Sequence, residues 1–180
     1  VPLDIHGLPS RVFTVDGWVR AGAGFDQALA NTVTPGYFAV MGIPLVAGED
    51  FVALDDATAP AQAIVNEEFV RRYLARIEPL GRRLQARGRS YLIAGVARNS
   101  LYNAFGEPPT PIIYFSFRDG PPRVGEIHLR TRAGQDTAVA SAVRLTVRDL
   151  DAELPVYNVR TLSTHVETNL LFRRIPARMF

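Results

Sequence analysis

Apolar positions alternate roughly with polar ones from Arg11 to Arg20, where Val12, Phe13, Val15, Trp18 and Val19 carry the apolar set. A period of two reads as a strand, and Asp16-Gly17 interrupts it in a way that admits a hairpin. Phe25 to Val33 is a second extended stretch, with Leu29 and Val33 as its inward positions. It runs into Thr34-Pro-Gly-Tyr-Phe-Ala-Val-Met-Gly-Ile-Pro-Leu-Val-Ala-Gly-Glu-Asp-Phe51. Here Thr34 is expected to cap a short helix that begins at Pro35 and is stopped by Gly42. Tyr37, Phe38 and Met41 share one face of that turn, which makes them core anchors rather than ligands.

Further on, Asp55 to Pro60 is a loop and Ala63-Ile64-Val65 a short buried strand. Asn66 then caps a helix whose first turn holds Glu67 and Glu68, the sign of charge favoured at the positive end of the helix dipole. Phe69, Val70, Tyr73 and Leu74 form its apolar stripe. Arg82 to Ala86 pairs with Ser90 to Ala97 through an Arg87-Gly88 turn. Asn99 to Thr110 is a loop, and Ile112 to Phe117 is apolar enough to be buried on both faces. Beyond the boundary at Asp119-Gly-Pro-Pro122, the pattern predicts a strand over 126–132, a helix over 136–150 with Val139, Val143, Val147 and Leu150 as its buried stripe, and a strand over 156–159. Residues 126–160 would then form a βαβ unit. From Leu170 to Phe180 a terminal amphipathic segment reads either as a final packed helix or as the elbow of a membrane helix.

A chain of 180 residues suffices for one domain or two small subdomains with a real core. Cysteine is absent, so no disulfide or thiolate metal site can form, and an oxidising compartment is allowed without being required. No apolar run reaches the roughly 18 residues of a membrane span, and Val1-Pro-Leu-Asp-Ile-His lacks the features of a signal peptide.

Candidate chemistry is sparse. His6, His128 and His165 have no helical metal-site spacing, and Ser100, Ser116, Ser141 and Ser163 lie in no nucleophile elbow. Adjacent Glu67 and Glu68 point about 100° apart on a helix and cannot flank one bond. Gly22-Ala-Gly24 lacks the third glycine of a dinucleotide fingerprint, and all 20 basic residues are arginine, so a phosphate loop with its lysine is impossible. No catalytic residue, cofactor or metal ligand is expected, and the chain is not expected to be an enzyme. The one charge feature is Arg71, Arg72, Arg76, Arg82, Arg83, Arg87 and Arg89, opposed only by Glu78. It is either a solvated face or a surface for an acidic partner or anionic headgroup. Nucleic acid fits less well, because no aromatic stacking platform is interleaved with it.

The Thr34–Phe51 stretch resembles the hallmark of the MacB-like periplasmic core domain of ABC-transporter permeases of the MacB and FtsX type. The likeness continues through Ala63 to Tyr73, Pro79 to Leu84, Ile93 to Ala97, Gly106-Glu-Pro-Pro109 and Asp151 to Leu162. It implies an α+β fold with two lobes. A porter-like lobe would join residues 1–33 to 122–168 around the βαβ unit. A smaller sabre-like lobe, 34–118, would be built on Tyr37, Phe38, Phe69, Ile93 and Ile112, with 169–180 as the junction toward a transmembrane helix.

The resemblance further implies a non-catalytic domain on the periplasmic side of the inner membrane. Targeting and membrane helices would lie in flanking sequence. Its partners would be a periplasmic adaptor or other protein and a cytoplasmic ATPase subunit or domain, which supplies movement for export. A soluble module that captures a small ligand between the lobes is the alternative.

Overall fold

Residues 7–54, 56, 58–102, 107–122 and 125–174 are described by the computed structural model. The fold is mixed α+β, and the chain divides into two compact units, one ending at His128 and the other starting at Leu129.

The first unit holds seven strands among the described residues. These are β1 (Ser10–Val15), β2 (Asp26–Val33), β3 (Leu45–Gly48), β4 (Gln62–Asn66), β5 (Arg83–Ala86), β6 (Arg89–Ala97) and β7 (Ile112–Ser116). Their order is β3-β6-β4-β7-β2-β1-β5, and β5 also pairs with β6, so six strands close on themselves. The long β6 makes closure possible by dividing one of its edges. Arg89 to Leu92 pairs with β5, Gly95 to Ala97 pairs with β3, and β4 runs parallel along the other edge.

Alternation along the strands fills both sides of this sheet. Inside, Phe13, Val15, Ala28, Ala30, Ala63, Val65, Leu84, Ile93, Ile113 and Phe115 are buried together with Phe69, Tyr73 and Leu74 from helix α2 (Glu67–Tyr73) and the residue after it. Outside, Val33, Ile64, Ile112 and Tyr114 are buried under Tyr37 and Phe38 of helix α1 (Tyr37–Met41), with Phe51 and Tyr102. All five residues of β7 are buried, as its sequence requires.

The hallmark stretch folds differently at its start from the sequence expectation. Thr34 does not cap α1 with its side chain, and Pro35 is not its first residue. Gly36, at φ 83°, is the cap, and the N–H of Tyr37 reaches the Thr34 carbonyl at 3.2 Å. Asp50 explains the change, because its Oδ2 accepts the Gly36 N–H at 2.8 Å and ties the two ends of the stretch together. At the other end Gly42 terminates the helix as expected, donating to the Ala39 and Phe38 carbonyls. Gly48 is required by proximity as well as by φ 70°: a Cβ there would collide with the Ala94 carbonyl oxygen.

The second unit contains α3 (Asp136–Leu150) and α4 (Leu162–Arg174). The helix over 136–150 is found where expected, but the flanking strands are not. Residues 125–132 and 154–160 carry no strand, so the expected βαβ unit is reduced to its helix. Extended sequence becomes strand only when a neighbouring ladder supplies its hydrogen bonds, and none is supplied among the described residues. The stripe of α3 is correspondingly shallow. Val139, Val143 and Val147 are half-buried and Leu150 is exposed. Nor does the sheet divide at residue 33 as the expected lobes would have it: β1 and β2 are hydrogen-bonded to β5 and β7 within one sheet. The helix start missed by the sequence reading is at Leu162, where Thr161 Oγ1 accepts the Thr164 N–H at 3.1 Å. The end of the amphipathic segment, 175–180, lies outside the described residues.

Candidate partner-binding surface

The geometry separates the seven arginines into three groups. Arg71 and Arg72 close α2 and turn back on Glu68. Arg71 makes two bonds of 2.6 Å to its carboxylate, and Arg72 approaches at 3.4 Å. This hydrogen-bonded pairing holds the Glu68 carboxyl below the usual carboxylate range and raises the Arg71 guanidinium. Glu68 is therefore a buried counter-ion as well as a first-turn acid; its own N–H donates to Asn99 Oδ1 at 2.9 Å.

Arg87 and Arg89 stand at the β5–β6 turn. Arg87 (φ 54°) and Gly88 (φ 72°) supply the two positive φ values of a tight hairpin turn. The Arg87 guanidinium lies 5.2 Å from the Phe115 ring centroid, and Arg89 donates to the Asp119 carbonyl at 3.0 Å with the Asp119 carboxylate 3.8 Å away. Arg118, which sequence reasoning passed over, fixes the neighbouring loop by donating to the carbonyls of Asp56, Ala59 and Pro60.

Arg76, Arg82 and Arg83 remain, with no carboxylate in ion-pair range among the described residues. Arg82 donates through Nε to the Glu78 carbonyl at 3.0 Å. With Arg83, Asp16, Glu78, Leu80 and Gly81 it lines an open depression of about 360 Å³. Along the hairpin, Arg83 pairs with Leu92 at the end away from the turn, while Arg87 stands in the turn and Arg89 directly after it.

The three histidines are not brought together. His6 lies outside the described residues. His128 stands edge-on to Tyr37, with ring centroids 6.0 Å apart, and its Nε2 is 3.6 Å from Glu126. His165 is buried in α4. Among the described residues no group of three His, Cys, Asp or Glu could hold a metal ion. Of the serines, Ser100 Oγ is 3.2 Å from the Tyr114 hydroxyl, and Ser116 is buried.

Beneath α1 lies a cluster of phenols that no spacing in the sequence announced. The Tyr37 and Tyr102 hydroxyls are 2.7 Å apart, and Tyr114 packs against both rings. Burial pushes all three phenols upward, Tyr37 to about 12. Their chemistry is that of a neutral hydrogen-bonded clamp between α1, the loop after β6, and β7.

The family model of the MacB-like periplasmic core domain matches residues 4–145. The chain belongs to this family. Solved structures with the same fold include the periplasmic region of MacB from Actinobacillus actinomycetemcomitans, at 16% identity and a TM-score of 0.58, over 89% of this chain and 73% of that one. The extracellular domain of the noncanonic ABC-type transporter YknZ from Gram-positive bacteria matches at 18% identity and a TM-score of 0.54, over 87% of this chain and 83% of that one. No curated protein matches significantly. The MacB-like core domain is an extracytoplasmic domain of ABC-transporter permeases, a class that is in general non-catalytic and that works with ATPase and adaptor partners. Among the described residues no helix is long and apolar enough to cross a membrane.

Proposed function

We propose that this MacB-like domain acts without catalysis of its own, relaying ATP-driven movement of a permease's transmembrane helices to a periplasmic partner or substrate during export. The permease would sit in the inner membrane, with the domain on its periplasmic side, and the ATPase would be a cytoplasmic subunit or domain. The family match over residues 4–145 carries this reading.

The build of the first unit supports it. Closed ladders and aromatic cores on both sides of one sheet resist internal deformation, so movement applied to the unit is passed on as rigid-body displacement. The depression lined by Arg82 and Arg83 is open and mostly charged, unlike the enclosed apolar pocket that a small-ligand module would need. Of the seven arginines, Arg76, Arg82 and Arg83 remain the best placed to meet a partner.

In the complete permease, replacing this domain with a short linker should abolish transport while ATP hydrolysis persists. Transport that survives the replacement would contradict the relay.

A further inference from the structure

The first unit ends at His128 and the second begins at Leu129, so the chain passes from one to the other at that point. What precedes the passage is sparsely built. After β7 comes a single turn over Phe117–Asp119, and residues 120–122 and 125–128 carry neither helix nor strand. The stretch is nevertheless held to the first unit at both ends. At its start Arg118 donates to the carbonyls of Asp56, Ala59 and Pro60, Arg89 donates to the Asp119 carbonyl, and the Gln62 N–H donates to Asp119 Oδ2 at 3.2 Å. At its end the His128 ring stands edge-on to Tyr37.

Tyr37 is a firm seat for that ring. Its hydroxyl meets that of Tyr102 in the loop after β6, and its ring packs on Phe38 within α1 and on Tyr114 in β7. A push on this ring meets close-packed side chains from three segments, which pass displacement on instead of absorbing it.

Where the last hold sits decides what becomes of movement arriving from beyond Leu129. A chain can be drawn out to about 3.3 Å per residue, so a stretch held only at Asp119 would take up a large displacement before the first unit felt it. With the hold at His128 that slack is bypassed.

We infer that His128 is the coupling residue of the first unit: its ring, seated on Tyr37, delivers displacement of the chain beyond Leu129 to α1, the loop after β6 and β7 together. This role rests on the relay reading and gives it a point of entry on the C-terminal side.

Pulsed electron resonance on the complete permease tests it, with one spin label at the exposed position Gln85 and one on a transmembrane helix that follows the domain in sequence, after any native cysteine is replaced. The parent distance should shift between nucleotide-free and ATP-trapped transporter. His128→Ala should lose most of that shift while ATP hydrolysis is kept. His128→Phe, which restores an aromatic edge against Tyr37, should recover it. Both variants of the 180-residue chain should melt close to the parent, because the His128 side chain is only half-buried. A parental shift in His128→Ala, or a His128→Phe variant without the shift, would overturn the role of His128 and leave the relay standing. No shift in the parent would overturn the relay, and this role with it.

Discussion

Asn66 donates through its side-chain amide to Asn99 Oδ1 at 3.0 Å, and this pair locks three strand ends of the first unit together. The Asn66 amide also reaches the Thr110 carbonyl at 2.8 Å, while its Oδ1 accepts the N–H groups of Phe69 and Ile112. Asn99 Oδ1 accepts the Glu68 N–H, and its own N–H donates to Glu67 at 3.0 Å. One buried amide thus caps α2, fixes the entry to β7 and holds the exit from β6.

Replacing Asn66 by Ala should cost about 2–4 kcal/mol, because it removes a cap and strands buried donors and acceptors. Asn66→Asp should rescue little: its second oxygen would face the Thr110 carbonyl and Asn99 Oδ1. Urea unfolding of both variants measures the cost, and a loss below about 1 kcal/mol for Ala would show that water replaces the network.

Close approach of β3 and β6 gives a second expectation. A Cβ on Gly48 would meet the Ala94 carbonyl, and one on Gly95 would lie 2.7 Å from the Glu49 carbonyl. Both are backbone atoms with no room to retreat. Gly95→Ala and Gly48→Ala should each destabilise by about 2 kcal/mol or more, while Gly125→Ala, with open space around it, should leave the melting temperature unchanged.

Acid sensitivity should trace in part to Glu68. Its pairing with Arg71 depresses the carboxyl, so the contribution is fully present above the ordinary carboxylate value of about 4.3 and is lost as pH falls through the depressed one. Glu68→Gln should therefore be less stable than the parent at neutral pH, with the difference shrinking under acid. Stability curves that stay parallel down to low pH would contradict this.

Alkali should reveal the phenol clamp. Burial raises Tyr37 to about 12 and drives Tyr102 and Tyr114 up as well. The stability linked to these groups is complete below the ordinary tyrosine value of about 10 and is lost as pH climbs through the raised ones. Phenolate absorbance at pH 11 should fall well short of that expected for six tyrosines, with the remainder appearing on unfolding. Tyr102→Phe should lower the melting temperature without adding early phenolate.

Much of the first unit was legible beforehand because local patterns and tertiary structure agree there. β7, the β5–β6 hairpin and the Asn66 cap each carry a signal within a few residues. Asp50, Asn99 and Arg118 were missed because their partners are distant in sequence and a polar residue in a loop does not announce its target. For the arginines, spacing along the chain said nothing about Glu68, Asp119 or Phe115 absorbing four of them. Residues 126–132 and 156–159 failed for the opposite reason: their composition is that of strands, yet a strand is a relation between two segments, and the described residues supply no second one.

The relay account turns on the first unit moving without deforming. These 180 residues contain no cysteine, so once any cysteine elsewhere in the complete permease is replaced, spin labels placed at the exposed positions Val46 and Gln85 report one internal distance by pulsed electron resonance. The account predicts the same narrow distance distribution in nucleotide-free and ATP-trapped transporter, while the distance from Gln85 to a labelled transmembrane helix changes. An internal distance that shifts or broadens between the two states, with the helix distance constant, would contradict it.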